Sequence, residues 1–455
     1  MAAAVKESQS PVNLSINAIT DRLRATFEKF PDPRKGGNNQ RYGVCDAALS
    51  AFSVFFTQSP SFLDAQKRIE QGGGKSNAQT IFGVHKIPSD NQIRNLLAPV
   101  APQQVYPVMA EIGQSLYEAG YLESFRVLKN QLLIAIDGTD VFASEKISCP
   151  SCSTQKLKNG KTLHRHTVIT PVIVAPGQAQ VIPLPPEFVQ PQDGHEKQDC
   201  EVNAAKRWLA QHASHYAPWG CTLLGDDLYC HQPFCEAVLA QNMNFIVTCK
   251  PLSHELLYEW VSDQARIGQR HTVLRERKVG TQRFSDAYAY VNRVPLRDSD
   301  EALMVNWCEL STTNAKGEVV FYCAWATSHT ITDANVAEIA EAGRTRWKIE
   351  NENNNTLKNH GYNLTHNFGH GKQHLSNLLT TLNLLAYLVH TALDWLDERY
   401  RALRARLPSR RTFFENLRTL LLYLTFDSWD HLMNFMLRTL SHKRSVAPDL
   451  RANPN

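Results

Sequence analysis

The segment QLLIAIDGTD (131–140) decides the fold class, because it is a short apolar run that leads into Asp137. Such a run predicts a buried strand that carries a carboxylate at its C-terminal end. A second apolar run, CTLLGDD (221–227), also ends in acidic residues, Asp226 and Asp227. If the two strands are neighbours in one sheet, their carboxylates meet at the same edge and repel each other, so that one would be protonated or both would need a cation. Oxygen ligands of this kind suit Mg²⁺ or Mn²⁺.

The segments between and after these two runs alternate between strand and helix patterns. Strand patterns occur at 166–175, 179–185 and 244–249, and helix patterns occur at 196–216 and 231–241. Three strands joined by tight turns and followed by alternating helices and strands predict a mixed sheet with helices on its faces.

The N-terminal region, by contrast, is predicted to be mostly helical. Apolar helical patterns occur at 16–29, 44–57 and 101–121, and Ser89 is positioned to cap a further helix. Residues 268–328 instead contain four strand-like runs separated by turn-rich pieces, which predicts a β-rich insertion.

The segment RTRWKIENENNNTLKNHGYN (344–363) reads as a helix although it is rich in asparagine, a poor helix former. Arg346 and Glu350 are four residues apart and therefore share one helix face. Asn353 and Asn354 are expected to extend that face, which is too polar to face the core. We expect Glu350 to join the strand-end aspartates in a two-metal site for phosphodiester chemistry, with the arginine and the amides facing DNA.

These motifs together resemble the bacterial insertion-sequence transposases of the DDE superfamily, which have a ribonuclease H-like catalytic fold. The resemblance is to the cut-and-paste branch with a β-strand insertion before its glutamate and a Tyr-x2-Arg-x3-Glu-x6-Lys signature. Arg346 and Glu350 match that signature. Gly343 occupies the tyrosine position, and Leu357 occupies the lysine position with Lys358 beside it.

The resemblance, which covers roughly residues 130–395, also assigns roles to residues. The first aspartate belongs to an Asp-Gly-Thr motif at 137–139, and the second precedes an x-x-Tyr motif that matches Asp226. Asp140 and Asp227 are the alternatives for these two positions. The implied metal ligands for two Mg²⁺ or Mn²⁺ ions, and the implied catalytic residues, are Asp137, Asp226 and Glu350. The expected DNA-binding residues are Arg346, Asn353, Asn354 and Lys358.

The activity that the resemblance implies is DNA transposition, with Mg²⁺-dependent cleavage at transposon ends and strand transfer into target DNA. It implies a homodimer that binds double-stranded terminal repeats and target DNA, in the bacterial cytoplasm near the nucleoid and without a membrane. Two alternatives are a metal-dependent DNA nuclease of the same fold and a non-catalytic, domesticated DNA-binding protein.

The predicted architecture is α/β, with a ribonuclease H-like mixed sheet, flanking helices, a β-rich insertion before the glutamate helix and an N-terminal helical domain. The predicted regions are a helical N-terminal region for DNA binding or dimerisation (1–127), the first part of the catalytic core (128–265), the β insertion (266–330), the second part of the core (331–396) and a basic helical C-terminal region (397–455).

Composition and charge add weaker constraints. The chain has 455 residues and a net charge of +4, which allows two or three domains and only hints at nucleic acid. The arginine-rich run at 399–411 could follow a phosphate backbone, although a solvated helix face is the favoured interpretation. The apolar segment 375–396 contains polar and charged residues that are costly in lipid, so we expect a buried helix.

The ten cysteines and the lack of a signal-like N-terminus suggest free thiols in a reducing compartment. Cys149 and Cys152 form a Cys-x2-Cys motif, and His164 and His166 follow in the same region. A reduced, unligated pair is the favoured interpretation. A structural zinc site is the alternative.

Overall fold

The computed structural model describes residues 15–32, 34, 40–191 and 199–442. Residues 441 and 442 are described by their backbone alone. The parts of the predicted regions at 1–14 and 443–455, and the start of the helix pattern at 196, lie outside these described residues. The chain forms two compact units. Leu122–Asn355 is called the sheet unit, and the described residues up to Tyr121 and from Thr356 onward are called the helical unit.

The N-terminal part of the helical unit contains the helices that the sequence predicts and also helices over Phe62–Ile69 and Gly72–Thr80 that were not predicted. They are α1 (Ile16–Phe27), α2 (Val44–Phe56), α3 (Phe62–Ile69), α4 (Gly72–Thr80), α5 (Asp90–Leu97) and α6 (Tyr106–Glu118). Ser89 caps α5 as expected, because its hydroxyl accepts a hydrogen bond from the Gln92 backbone N–H at 3.4 Å.

The first part of the sheet unit follows the predicted order of strands and helices, with additional short strands. Its elements are β1 (Leu132–Ala135), β2 (Gly138–Ser144), β3 (Ser153–Lys156), β4 (Thr162–Ile169), β5 (Val172–Val174), β6 (Ile182–Pro183), β7 (Glu187–Phe188), α7 (Glu201–Tyr216), β8 (Cys221–Gly225), α8 (Gln232–Ala240) and β9 (Asn244–Thr248).

The second part of the sheet unit contains the four predicted insertion strands and the segment that carries the predicted glutamate. Its elements are α9 (Glu255–Arg266), β10 (His271–Val279), β11 (Gln282–Pro295), β12 (Met304–Asn314), β13 (Val319–Thr327), α10 (Val336–Thr345) and a π-helical segment (Ile349–Asn354). The short helix α11 (Asn355–Asn359) follows directly and leads into the helical unit.

Nine of the described strands form one mixed sheet in the order β10-β11-β12-β13-β9-β8-β1-β5-β6. The pairs β1–β8 and β8–β9 are parallel, whereas β13 pairs with β9 in the antiparallel sense. Helices α8 and α10 both pack on β9. The predicted fold class is therefore confirmed: the unit is a mixed α/β sheet with flanking helices, and the insertion strands continue the same sheet through β13.

A second, smaller sheet has the order β2-β4-β3, with β7 also paired to β4. The sequence had predicted one strand across 131–140. The structure divides it into β1 and β2, which belong to different sheets, and Asp137 lies between them.

The rest of the helical unit consists of α12 (Leu375–Leu396), α13 (Glu398–Arg406), α14 (Arg410–Tyr423) and α15 (Trp429–His442). Helix α12 is buried along nearly its whole length and packs on α2. The sequence-based division had grouped 331–396 as one part of the core, but residues from Thr356 onward lie in the helical unit.

The polar side chains of α12 have partners within the helical unit. Asn383 donates to the Tyr362 carbonyl at 2.9 Å, and His390 Nδ1 lies 2.6 Å from the Tyr362 hydroxyl. Asp394 lies between Arg404 and Arg410, at 3.9 and 3.7 Å. These contacts offset the cost of burying polar groups. No helix in the described ranges is long and apolar enough to cross a membrane.

Much of the arginine-rich run 399–411 is engaged in contacts within the helical unit. Arg399 pairs with Asp430 at 2.8 Å, and Arg401 donates to the Trp395 carbonyl at 2.8 Å. The run therefore contributes to packing among these helices as well as to surface charge.

Candidate active site

The two strands that carry the predicted aspartates are parallel neighbours. The register between β1 and β8 pairs Ala135 with Leu224, and the Ile136 N–H donates to the Leu224 carbonyl at 2.9 Å beyond the last pair. Extending this register by two residues places Asp137 opposite Asp226. The expectation that the two acidic strand ends meet at one edge of the sheet is met by this geometry.

The charges that act on Asp137 indicate that the predicted carboxylates lie close to one another. Burial is the largest cause that raises the pKa of Asp137, and the charge of Arg346 opposes it. Together with the negative charges of Asp226, Glu350 and Glu201, the net result is a pKa of about 7. These groups influence Asp137 because they surround it within electrostatic range. The site therefore concentrates negative charge around a partly buried carboxyl group.

Glu350 reaches this site from the π-helical segment that follows α10. Its Oε1 accepts a hydrogen bond from Arg346 Nη2 at 2.8 Å, so the two side chains share one face as the four-residue spacing predicts. The Glu350 side chain is 52% exposed and that of Arg346 is 18% exposed, which leaves the carboxylate open to solvent. Single turns of π-helix inside helical segments often occur at functional sites.

The two asparagines that were expected to face DNA are instead buried. Asn353 has no exposed surface and Asn354 is 7% exposed. Asn354 Oδ1 accepts hydrogen bonds from Thr170 Oγ1 at 3.1 Å and from Asn353 Nδ2 at 3.0 Å. The wider π turn changes the angular position of residues after Glu350, so they do not extend its face. Their amides anchor the segment inside the sheet unit, and we do not retain them as DNA contacts.

The adjacent aspartates at the end of β8 have different partners. Asp227 accepts hydrogen bonds from the Lys250 N–H at 2.7 Å and from Ser253 Oγ at 2.6 Å, and it lies 3.3 Å from His254 Nε2. Asp226 accepts one from the Leu228 N–H at 2.9 Å. Because Asp227 holds the loop after β9, Asp226 is the better candidate for the site.

Asp140, the alternative to Asp137, is also engaged elsewhere. Its carboxylate accepts a hydrogen bond from Thr167 Oγ1 at 2.6 Å and pairs with Arg165 at 3.2 Å. Both partners lie on β4, so Asp140 helps hold β2 to β4. This geometry favours Asp137 as the metal-facing residue.

Glu201 was missed by the sequence analysis. It is the first residue of α7, and a Cβ atom at Gly138 would lie 2.3 Å from its carboxyl carbon. Burial raises the pKa of Glu201, and the charge of Asp226 raises it further. An acidic residue in the first turn of a helix was the available signal, but such residues are common because they complement the helix dipole.

Tyr229 is a second residue whose role the sequence did not reveal. Its pKa is raised well above the usual value by burial and by the charges of Glu201, Asp137 and Asp226. Its hydroxyl is buried and has no hydrogen-bond partner among the described residues. A hydroxyl in this position could bind a water molecule beside the carboxylates.

The residues at this edge fit divalent cations. The candidate ligands Asp137, Asp226 and Glu350 offer only oxygen atoms, with Glu201 as a further carboxylate beside them. Hard, oxygen-preferring cations such as Mg²⁺ and Mn²⁺ bind such ligand sets. A bound cation would also offset the burial and the mutual repulsion that together raise the Asp137 pKa.

Two departures from the signature have structural reasons. A Cβ at Gly343 would lie 2.5 Å from Trp325 Nε1, so no tyrosine fits at that position without a shift of the indole. Leu357 is fully buried in the helical unit. Lys358 lies on α11 in the same unit and is half-buried, and its contact with DNA remains a prediction.

A groove of about 570 Å³ lies within the sheet unit next to the residues that precede Glu350. Its lining includes Arg275, Arg344 and Lys348, together with Trp347, whose exposed fraction is 53%. Lys348 donates to the Gln178 carbonyl at 2.6 Å, which positions its ammonium group at the groove. Cations and an exposed aromatic ring are the groups that contact nucleic-acid backbones and bases.

Comparisons with known proteins identify the family of this chain. The cryo-EM structure of the piggyBac transposase synaptic complex with hairpin DNA matches at a TM-score of 0.41 and 10% sequence identity, over 98% of this chain and 85% of that chain. No curated protein sequence matches significantly. A family model described as the transposase DDE domain matches residues 131–389, which include Asp137, Asp226 and Glu350. Because that match spans more than half of the sequence, the chain belongs to the transposase DDE domain family.

Proposed function

We propose that the chain is a DNA transposase that cleaves phosphodiester bonds at transposon ends and transfers the freed strands into target DNA. The observation that carries this proposal is the position of Asp137 opposite Asp226, which follows from the β1–β8 register. The charge of Glu350 also acts on Asp137. Within the family to which the chain belongs, this arrangement supports metal-dependent chemistry on nucleic acid.

The residues that would hold two Mg²⁺ or Mn²⁺ ions are Asp137, Asp226 and Glu350. Such ions, when bound, activate a water molecule or 3′-hydroxyl as nucleophile and stabilise the charge on the leaving oxygen. The carboxylates hold these positions because β1 and β8 are fixed in register. Glu201 adds negative charge beside Asp226, which favours cation binding at this edge.

Arg346 has a positioning role in this proposal. It donates one hydrogen bond to Glu350 at 2.8 Å, which orients that carboxylate towards the site. Arginine has five N–H donors, so the Arg346 guanidinium has further donors with which to bind a phosphate near the scissile bond. Lys358 is the further proposed phosphate contact.

The substrate in this proposal is double-stranded DNA, as terminal repeats and as target. We propose that its backbone follows the groove that Arg275, Arg344 and Lys348 line, where four cations outnumber three carboxylates. A homodimer would hold two transposon ends in a synaptic complex. The gene would belong to an insertion sequence, and the protein would act in the bacterial cytoplasm. These assignments follow from the family resemblance and are proposals for this chain.

The test is a cleavage and strand-transfer assay with the terminal sequences that flank the gene, in buffer with Mg²⁺. We expect the wild-type protein to nick and join these ends, and we expect Asp137→Ala and Glu350→Gln to lose at least about 100-fold in rate while DNA binding persists. Asp263→Asn is the matched control, because its carboxylate is exposed on α9 and pairs only with its helix neighbour Arg266 among the contacts seen.

The outcomes separate the alternatives. Cleavage without joining would identify a nuclease of the same fold. Binding without cleavage by the wild-type protein would identify a non-catalytic DNA-binding protein. Unchanged excision by Asp137→Ala would refute the catalytic assignment.

A further inference from the structure

Two cysteines and a histidine of the sheet unit meet away from the carboxylates. Cys149 and Cys152 lie in the loop between β2 and β3, and His166 lies on β4. The two sulfur atoms are 3.8 Å apart, and Cys149 Sγ lies 3.3 Å from His166 Nε2. The sulfur distance is far longer than the roughly 2.05 Å of a disulfide, so both groups are thiols.

These distances match those between ligands of one zinc ion. Tetrahedral zinc has bonds of about 2.3 Å to sulfur and about 2.0–2.1 Å to imidazole nitrogen, which places two sulfur ligands about 3.8 Å apart and a sulfur and a nitrogen about 3.5 Å apart. Cys149 therefore lies at zinc-ligand separations from both Cys152 and His166, and the ligand atoms of all three residues lie within 4.8 Å of one another. Of the two histidines that the spacing suggested, His166 is the one whose ring meets the thiols.

The backbone of the loop also has the geometry of a ligand-presenting turn. The Cys152 N–H donates to the Cys149 carbonyl at 3.1 Å, which closes the turn. The Cys149 N–H points to Cys152 Sγ at 3.4 Å, and such a contact stabilises negative charge on sulfur. Cys152 and His166 are buried, whereas Cys149 is partly exposed, so an ion can enter from solvent.

We infer that Cys149, Cys152 and His166 bind a structural Zn²⁺ ion. This assignment replaces the favoured sequence interpretation of an unligated pair. It is separate from the proposed Mg²⁺ site, because soft thiolates select zinc whereas the strand-end carboxylates select hard cations.

The site would connect the loop to the strand that supports the carboxylates. His166 is paired with Phe142 of β2, and Thr167, the next residue, bonds Asp140. Directly after the same strand, the Thr170 N–H donates to the Asp137 carbonyl at 3.1 Å. Zinc at this loop would therefore stabilise the β2–β4 sheet beside the end of β1.

A second thiol cluster in the sheet unit must be distinguished in any test. Cys230, Cys249 and His254 are all buried, and their potential ligand atoms lie within 4.8 Å of one another. The hydrogen bond with Cys249 and burial raise the pKa of the Cys230 thiol well above its usual value. This cluster serves as the matched comparison for the inferred site.

The experiment measures metal content by inductively coupled plasma mass spectrometry on the full-length protein, purified without chelators. We expect about one zinc per chain in the wild type, less than about one tenth of that in the double variant Cys149→Ser/Cys152→Ser, and an unchanged content in Cys230→Ser/Cys249→Ser. Cys323→Ser controls for the loss of a half-buried thiol outside both clusters.

Cobalt substitution provides a measurement that does not depend on the variants folding. The wild type loaded with Co²⁺ should show thiolate-to-cobalt charge-transfer absorption, which requires sulfur ligands. Wild-type protein that takes up neither zinc nor cobalt would overturn the inference. Retention of zinc by Cys149→Ser/Cys152→Ser, or its loss from Cys230→Ser/Cys249→Ser instead, would also overturn it and assign the metal to the second cluster.

Discussion

The substitution Asp137→Asn tests whether the candidate site is a cluster of mutually repelling carboxylates that binds cations. The pKa of Asp137 is raised from 3.8 to about 7. The folded protein therefore keeps a proton on this group that the unfolded chain releases above about pH 4, so stability falls as the pH rises from about 4 to about 7. Asparagine is neutral throughout and avoids this loss.

The size of the effect follows from the same pKa. A rise from 3.8 to about 7 corresponds to about 4 kcal/mol at most. Because Asp137 is partly solvent-accessible, we expect about half of this, or about 2 kcal/mol. In magnesium-free buffer, Asp137→Asn should be as stable as the wild type near pH 4 and about 2 kcal/mol more stable at pH 8.

The assay is urea unfolding from pH 4 to pH 8, with and without Mg²⁺. Magnesium should stabilise the wild type at pH 8 by about 2.7 kcal/mol at a hundredfold excess over its dissociation constant. It should stabilise Asp137→Asn much less, because one ligand is lost. A stability difference that does not change with pH, or equal stabilisation of both proteins by Mg²⁺, would refute the reasoning.

Two further predictions concern neighbouring positions. Asp226→Asn should abolish DNA cleavage and retain DNA binding. Asp227→Asn should retain cleavage and lose about 1–2 kcal/mol of folding stability, because its contacts with the loop after β9 are weakened. The opposite pattern in cleavage assays would exchange the two roles. Gly343→Ala should lose about 1–3 kcal/mol in urea unfolding because its Cβ would meet Trp325. The control Gly113→Ala, which has open space on α6, should lose nothing, and equal losses would contradict the packing argument.

Local sequence patterns predicted much of the fold. The four insertion strands were predicted from their alternating and apolar runs, and each is present as β10 to β13. Helices α1, α2 and α6 were predicted from their apolar spacing and the start of α5 from the Ser89 cap, whereas α3 and α4 were not predicted. These features are readable because a strand or helix is specified mainly by residues a few positions apart.

The packing between segments far apart in the chain could not be predicted from local sequence patterns. That the insertion strands continue the core sheet depends on the pairing of β13 with β9, which joins residues far apart in the chain. The boundary between the two compact units falls at Asn355, directly after the π-helical segment and inside the helical stretch that the sequence predicted.

The sequence by itself determined the aspartate-bearing strands, the glutamate helix and the shared face of Arg346 and Glu350, because each depends on local spacing. The tertiary structure alone decided that Asp137 lies opposite Asp226, that Glu201 joins them, and that the asparagines after Glu350 turn inward. It also brought Cys149 and Cys152 to His166. The physical reason is that sheet register, helix winding and side-chain burial are set by contacts between distant segments, and no local pattern encodes those contacts.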